Sequence, residues 1–359
     1  MTGLMADLEL VLSEAGVPEA PMVVIQLDRW RGATAADIDR AARLVAGALP
    51  VTAGVLDGPP PTALAPLIEA TTLTLATEPA VQPAGTLEHA VVPVTDLGYD
   101  LGEAVTRLRE AVADSPRAAI TCGQLVRQAS VLAPRPGAGT TAALAAEAAA
   151  YSLLLSGPEF GRWLDRRGAP RHRQPPTAPV RVSRDGGHLS ILLNDPARRN
   201  AFSAKLREAL LDAVTVAEAD DTVESVELRG AGPAFCSGGD LDEFGTATDL
   251  VAAYLVRLAR APWRVIDRIT PKVTVYAHGA CVGAGTEITA YAGRVVAAPD
   301  AFFALPEVGM GLVPGAGGSV SVPRRIGRWR AAWLMLTGDR LPAATALQWG
   351  LVDDLSPVI

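Results

Sequence analysis

The spacing of hydrophobic and polar residues predicts strands and helices along the first 167 residues. Short apolar runs typical of strands alternate at first with one amphipathic stretch, whose apolar positions recur every three or four residues. These elements are strands at Met22–Leu27, Val51–Leu56 and Thr72–Ala76, and a helix at Thr34–Leu49 with Thr34 as its N-cap. From Leu101 to Arg167 the spacing is helical, with breaks near Ser115–Pro116 and Ala133–Gly139.

Beyond residue 179 strands and helices alternate more regularly. The predicted strands are Val180–Ser183, Leu189–Leu193, Val226–Arg229, Val273–Ala277, Val295–Ala297 and Phe302–Phe303. The predicted helices are Ser203–Ala217 with Ser203 as its N-cap, Leu250–Ile269, and one that Gly283–Gly285 opens. Asp185-Gly186-Gly187 is a turn that would join the first two strands into a hairpin. This alternation predicts an α/β layered fold.

A proline-rich stretch, residues 168–179, separates these two parts. It contains four prolines and three basic residues in twelve positions, which suits neither a helix nor a central strand. A length of 359 residues also favours about two domains, at roughly 150 residues each. The basic residues around this stretch suit either a contact with phosphate or a solvated linker, and we interpret residues 168–179 as a linker.

Composition narrows the class of protein. The formal net charge is −7, which argues against a broad surface for nucleic acid or for an anionic membrane. No apolar stretch is long enough for a transmembrane helix, and the N-terminus lacks the pattern of a secretory signal. Cys122, Cys236 and Cys281 share no metal-ligand spacing. We therefore expect a soluble, cytoplasmic protein with no bound metal.

Three segments carry candidate chemistry. Two glycine-rich turns, Ala234–Leu241 and His278–Glu287, each follow a strand, and their small residues let backbone N–H groups approach a ligand. The third segment, Leu305–Gly318, places Glu307 among apolar residues, as Glu287 is placed in the second turn. A carboxyl group in such surroundings has a raised pKa or is hydrogen-bonded, which suits general acid–base catalysis. For either residue alone, a glutamate at a helix start or on a solvated face is the alternative.

Together these segments resemble the crotonase (enoyl-CoA hydratase/isomerase) superfamily over about residues 180–355. The resemblance rests on AFCSGGDL at 234–241, GACVGAGTE at 279–287 and LPEVGMGLVPGAGG at 305–318, with RNAFS at 199–203, LTGDR at 336–340 and GLVD at 350–353. It implies an α/β fold whose crotonase-like core repeats β-β-α turns, preceded here by a smaller α/β region and a helical region.

The resemblance also implies a site for an acyl-CoA thioester. In the family two backbone N–H groups bind the thioester oxygen, and these fall on Cys236 and Ala284, where Ala replaces the usual Gly. Arg199, Asn200 and Asp240 match the region that receives the adenine end of CoA. Coenzyme A is part of the substrate, so no separate cofactor is expected. The two glutamates of family hydratases match Glu287, which would activate water, and Glu307, which would deliver a proton to Cα.

The order of the pieces differs from the family's pattern. In family members the GLVD signature is followed by a helical segment. In this sequence a similar helical segment precedes the core, and we expect that segment to take the place of the usual one. We therefore predict four parts: a degenerate crotonase-like α/β unit at 1–100, a helical cap at 101–167, the linker at 168–179 and a catalytic core at 180–359. An unrelated N-terminal domain is the alternative.

The sequence thus predicts a lyase that hydrates a 2-enoyl-CoA or dehydrates a 3-hydroxyacyl-CoA. Other enolate reactions of the superfamily stay open: isomerisation, decarboxylation, or cofactor-free oxygenation of an aryl-acetyl-CoA. A catalytically quiet partner subunit is a further alternative. By the same resemblance we expect a homo-oligomer, either a trimer or a hexamer, with no nucleic-acid or membrane partner.

Overall fold

The computed structural model describes residues 8–79, 89–137, 139–171 and 176–357. Its first part is a parallel sheet in which four strands pair in the order β1-β2-β3-β4. These strands are β1 Met22–Gln26, β2 Val51–Leu56, β3 Leu73–Ala76 and β4 Val92–Pro93, and α1 Ala35–Ala46 and α2 Ala65–Ala70 lie between them in the chain. Parallel neighbours require such crossovers. Thr34 caps α1 as predicted, since its hydroxyl oxygen accepts a hydrogen bond from the Asp37 N–H.

Four helices follow: α3 Leu101–Asp114, α4 Pro116–Leu132, α5 Thr140–Leu154 and α6 Pro158–Arg167. The predicted breaks are confirmed. Pro116 occupies the first turn of α4, where its missing N–H costs nothing, and a glycine-containing loop separates α4 from α5. Asp100 and Glu103 form a reciprocal capping box at the start of α3. The described residues of the linker, 168–171 and 176–179, form neither helix nor strand, and residues 172–175 lie outside the described part.

The remaining chain forms a six-stranded and a three-stranded sheet with helices around them. The larger sheet has the order β13-β10-β8-β7-β6-β5 and the smaller one β12-β11-β9. The strands are β5 Val180–Asp185, β6 His188–Leu193, β7 Ser225–Gly230, β8 Val273–Ala277, β9 Ala280–Val282, β10 Arg294–Ala297, β11 Phe302–Ala304, β12 Leu341–Pro342 and β13 Asp354–Leu355. The helices are α7 Ala204–Ala219, α8 Leu250–Ala259, α9 Pro262–Arg268, α10 Ala284–Thr289, α11 Gly318–Ile326, α12 Arg328–Thr337 and α13 Ala343–Trp349.

The β-β-α repeat is visible in how consecutive strands divide between the two sheets. Strand β8 belongs to the large sheet, β9 belongs to the small one, and α10 follows directly; β10 and β11 repeat the same division. This arrangement brings the chain out of the large sheet at the same end each time. The predicted fold class, an α/β core of repeated β-β-α turns after a smaller α/β and helical region, is confirmed.

The prediction of one continuous helix at Leu250–Ile269 is wrong. The stretch Leu250–Ile269 is two helices, α8 and α9, because Arg260 leaves the helical conformation and Pro262 starts a new first turn. Proline cannot donate the N–H that a continuous helix needs at that position. The break bends the chain beside the cavity described below.

The helical region packs directly on the second part of the chain. Helix α4 lies against α11 and α12, and α5 lies against α8 and α11. The first sheet is tied to α12 by Arg328, whose Nη1 donates to the Thr71 and Thr72 carbonyl oxygens at 2.8 and 3.2 Å. Buried apolar residues from both parts form one large core cluster, and a second cluster lies between the first sheet and helices α1 and α2. None of the described helices is long and apolar enough to cross a membrane.

Candidate active site

A cavity of about 670 Å³ lies where α5 meets the loops of the second part. Its walls include Gly239, Ala284, Glu287 and Glu307 from the two turns and the third segment, and Tyr151 from α5. The structure therefore brings both predicted glutamates to one cavity, together with one of the predicted oxyanion residues. Within the described ranges, no His, Cys, Asp and Glu side chains are grouped so as to hold a metal ion.

Glu287 lies in the first turn of α10 with one carboxylate oxygen anchored. Its Oε2 accepts hydrogen bonds from the Ala316 and Gly318 N–H groups, both at 2.7 Å. No described residue donates to Oε1. Burial raises the pKa of Glu287 well above its usual value, and the charges of Glu307 and Glu147 raise it further, whereas the two N–H donors lower it.

Glu307 follows β11 and has much poorer hydrogen bonding. Its Oε2 is buried without a hydrogen-bond partner among the described residues. Burial raises the pKa of Glu307 to about 8, and the charge of Glu147 acts in the same direction. Both effects favour the protonated form of this carboxyl group. Gly283 lies directly beside it, because a Cβ on Gly283 would overlap Glu307 Oε1.

The prediction that Cys236 supplies an oxyanion N–H is wrong. The Cys236 N–H already donates to the Ala280 carbonyl oxygen at 3.2 Å, because Cys236 and Cys281 face each other in a parallel bridge. Burial also raises the pKa of the Cys236 thiol to about 12, so that it stays protonated. The cavity is instead lined by Gly239 and Ala284, and no described residue accepts a hydrogen bond from either of their N–H groups.

The three residues predicted to bind CoA have unlike surroundings. Asn200 is fully buried, and its Nδ2 donates to three carbonyl oxygens, those of residues 231, 234 and 235, at 2.8–3.0 Å. Its role is therefore structural, and the prediction that it contacts CoA is wrong. Asp240 lines the cavity but forms an ion pair with Arg198. Arg199 is exposed at a left-handed turn with φ 51°, and its contact with CoA stays a prediction.

Sequence reasoning missed the part of the site that α5 supplies. Glu147 is 2% exposed and its carboxylate accepts hydrogen bonds from Gly317 and Ser319, next to the residues that hold Glu287. Tyr151, one turn later, lies under the Arg257 guanidinium, 3.7 Å from the ring centroid. The available signal was a single carboxylate within the Ala- and Leu-rich stretch 142–155, where burial requires a partner.

Known proteins resemble the second part of the chain. The family model described as enoyl-CoA hydratase/isomerase matches residues 184–358. The 2,3-dehydroadipyl-CoA hydratase of Escherichia coli is 33% identical over 176 residues, 49% of this chain and 68% of that protein. The 1,2-epoxyphenylacetyl-CoA isomerase of the same organism is 33% identical over 171 residues, 46% of this chain and 65% of that protein.

Among solved structures, the enoyl-CoA hydratase of Thermoplasma volcanium is 31% identical. The match covers 50% of this chain and 73% of that one, with a TM-score of 0.46. The chain thus spans about two thirds of the length of the two E. coli relatives, and the matched region is its second half.

Proposed function

The chain belongs to the enoyl-CoA hydratase/isomerase family, and from that premise we propose that it hydrates a 2-enoyl-CoA or catalyses the reverse dehydration. The observation that carries the proposal is the pair of buried glutamates at one cavity with unlike hydrogen bonding. Glu287 is held by two N–H donors, which stabilise negative charge, whereas Glu307 Oε2 has no described donor. Burial and the repulsion between neighbouring carboxylates raise the pKa of both groups, which favours a single negative charge on the pair. We place that charge on Glu287, because its Oε2 has two N–H donors, and the proton on Glu307, so that Glu287 is the base and Glu307 the acid.

In the proposed reaction Glu287 activates water through its free oxygen. Oε2 stays bound to the turn at Ala316 and Gly318, so Oε1 is the oxygen left to accept a proton from water as it attacks Cβ. Glu307 carries the proton of the pair and gives it to Cα. One side chain gains a proton as the other loses one, and a relay through product and solvent restores both.

The enolate formed between these steps needs an oxyanion site. We assign it to the Gly239 and Ala284 N–H groups, because both residues line the cavity and neither amide is paired with a described residue. Ala284 is also the first residue of α10, where the positive end of the helix favours an anion. Coenzyme A enters only as part of the substrate thioester.

Double-bond isomerisation is the second candidate. Relatives named as isomerases match the chain as well as those named as hydratases do, at 33–34% identity. A protonated Glu307 beside a carboxylate would also move a proton between two carbons. Product analysis separates the two reactions, since hydration removes the conjugated double bond and isomerisation retains a double bond.

The test is loss of the conjugated-enoyl absorbance across short, long and aryl enoyl-CoA thioesters. We expect turnover by the wild type, and a decrease of at least about 100-fold in Glu287→Gln while thioester binding persists. Glu218→Gln is the matched control, because Glu218 is on α7 and pairs with Arg268 away from the cavity. Equal turnover by Glu287→Gln and the control would contradict the proposal. Binding without turnover by the wild type would favour another enolate reaction.

A further inference from the structure

Four successive backbone N–H groups at the start of α11, residues 316–319, are divided alternately between two carboxylates. The first and third donate to Glu287 Oε2, both at 2.7 Å. The second, from Gly317, donates to Glu147 Oε1 at 2.7 Å. The fourth, from Ser319, donates to Glu147 Oε2 at 2.9 Å, and the Ser319 hydroxyl donates to the same oxygen at 2.6 Å. We call residues 316–319 the shared turn.

Among the described residues, only these two carboxylates accept hydrogen bonds from the four N–H groups of the shared turn. Helix α11 starts after Gly317, whose φ is 90° and which has no side chain to cap the first N–H groups. The first N–H groups of any helix lack partners within the helix, and they favour negative charge nearby. Two carboxylates from distant parts of the chain fill this role together. Removal of either one leaves two buried N–H groups unpaired.

Glu147 differs from Glu287 in that both of its oxygens accept hydrogen bonds from the shared turn. It is also not among the residues that line the cavity, whereas Glu287 is. The side chain is 2% exposed and comes from α5, in the helical region that precedes the core. Burial raises the pKa of Glu147 to about 7, whereas its hydrogen bonds from Ser319 and Gly317 and the charge of Arg257, which lies over the Tyr151 ring, lower it. These contacts indicate that Glu147 affects the site by holding the turn that binds Glu287.

We propose that Glu147 is a positioning residue for Glu287. It fixes the shared turn so that the Ala316 and Gly318 N–H groups stay aimed at Glu287 Oε2, which leaves Oε1 turned to the cavity. The catalytic core is then incomplete without α5. The expected effect of Glu147 on kcat rests on the proposed function. The hydrogen bonding of Glu147 to the shared turn can be measured without any substrate.

The test compares Glu147→Gln with Glu159→Gln in the full chain. Glu159 is a matched control because it is a glutamate of the same helical region, 3% exposed, and also accepts from two N–H groups at a helix start. Its partners are the Arg117 and Ala118 N–H groups of α4, at 2.9 and 3.0 Å. A glutamine at either position presents an NH₂ group to a donor and so removes at least one of these bonds.

We expect Glu147→Gln to lower kcat on an enoyl-CoA thioester by roughly 10- to 100-fold, with KM within about threefold of the wild type. Hydrogen exchange of the amides of the shared turn should become at least about tenfold faster, while exchange at residues 117–118 is unchanged. Glu159→Gln should show the opposite exchange pattern and a kcat within about threefold of the wild type. Ser319→Ala, which removes only the hydroxyl donor, should show the first pattern more weakly.

Unchanged exchange of the shared turn in Glu147→Gln would overturn the inference, as would an equal loss of kcat in Glu159→Gln. If Glu147→Gln does not fold, Ser319→Ala decides, because wild-type exchange and kcat in that variant would also overturn it. If the wild type turns over no enoyl thioester but the exchange patterns follow expectation, the proposed function fails and the hold of Glu147 on the shared turn stands.

Discussion

Arg324 and Asp267 form a buried ion pair, with Nη1 and Oδ1 2.6 Å apart and only 10% and 2% of the side chains exposed. Both residues also bind the loop between α4 and α5, and Arg324 binds the first residue of α5 as well. Arg324 donates to the Ala133 carbonyl oxygen at 2.8 Å and to the Thr140 hydroxyl at 2.7 Å. Asp267 Oδ2 accepts from the Gly137 N–H at 2.9 Å. The pair therefore joins the helical region to α9 and α11 of the core.

Asp267→Asn should destabilise the fold by about 3–5 kcal/mol, because it leaves the Arg324 charge buried without its counterion. Urea unfolding measures this loss. Replacing both residues, as Arg324→Met with Asp267→Leu, removes both charges and should cost less than the single change. A loss below about 1 kcal/mol for Asp267→Asn would show that the pair is not essential to the junction.

Gly283→Ala should abolish most activity. The new methyl group would overlap Glu307 Oε1, and φ at this position is 49°, a conformation that favours glycine. We expect kcat to fall by at least about 100-fold, because Glu307 must move away from the cavity. Gly309→Ala is the control, since nothing lies within 4 Å of a Cβ at that position. Similar kinetics for the two variants would refute the contact.

The hydration rate should fall as pH rises through about 8. Glu307 acts as an acid only while it holds its proton, and burial raises its pKa to about 8. The expected measurement is a pH profile of kcat with a basic limb near that value. Glu307→Gln should lose the limb together with most of the rate, whereas Glu218→Gln should keep both. A flat profile up to pH 9 would contradict this assignment.

The same group makes stability depend on pH. A carboxyl group whose pKa is about 8 in the folded chain and 4.5 in the unfolded chain binds its proton more tightly when folded. Its contribution to stability is therefore complete below pH about 4.5 and is lost as pH rises through about 8. In Glu307→Gln the decline in unfolding free energy between pH 5 and 8 should shrink by a few kcal/mol, as urea unfolding at both values would show.

Asn200→Asp should lower stability without weakening thioester binding. The three carbonyl oxygens that Asn200 Nδ2 binds would face a carboxylate oxygen, in a buried site that cannot hydrate it. We expect a loss of at least about 3 kcal/mol in unfolding free energy. The KM for the thioester should stay within about threefold. A tenfold higher KM with unchanged stability would restore Asn200 as a CoA ligand.

The sequence predicted those features that depend on local pattern. The alternation of apolar positions located β2 and β8 to the residue, and Thr34 and Ser203 were identified as N-caps because capping needs only neighbouring residues. The break at Pro262 was equally local and was missed, since the apolar spacing on both sides continued the helical pattern.

Contacts between residues far apart in the sequence limited how much of the site could be predicted. The two glutamates could be identified because each lies in a short motif. Whether an amide N–H is free for a ligand depends instead on which acceptor lies opposite it in the folded chain. Cys236 N–H is paired with Ala280, and Asn200 points inward, for reasons that only the packed loops reveal. Glu147 contacts Ser319 across 172 residues of sequence, and no local pattern relates the two.

The distance in sequence between Glu147 and Ser319 also determines how far apart in time the two residues are synthesised. Helix α5 leaves the ribosome 172 residues before Ser319 does, since Glu147 and Ser319 are that far apart. At about 5–20 residues per second, this is an interval of roughly 10–30 s. During it the apolar faces of α4 and α5 have been made, but the surfaces of α11 and α12 against which they pack have not. The nascent helical region therefore exposes these apolar faces until α11 and α12 have been made, which is when such surfaces are prone to aggregate.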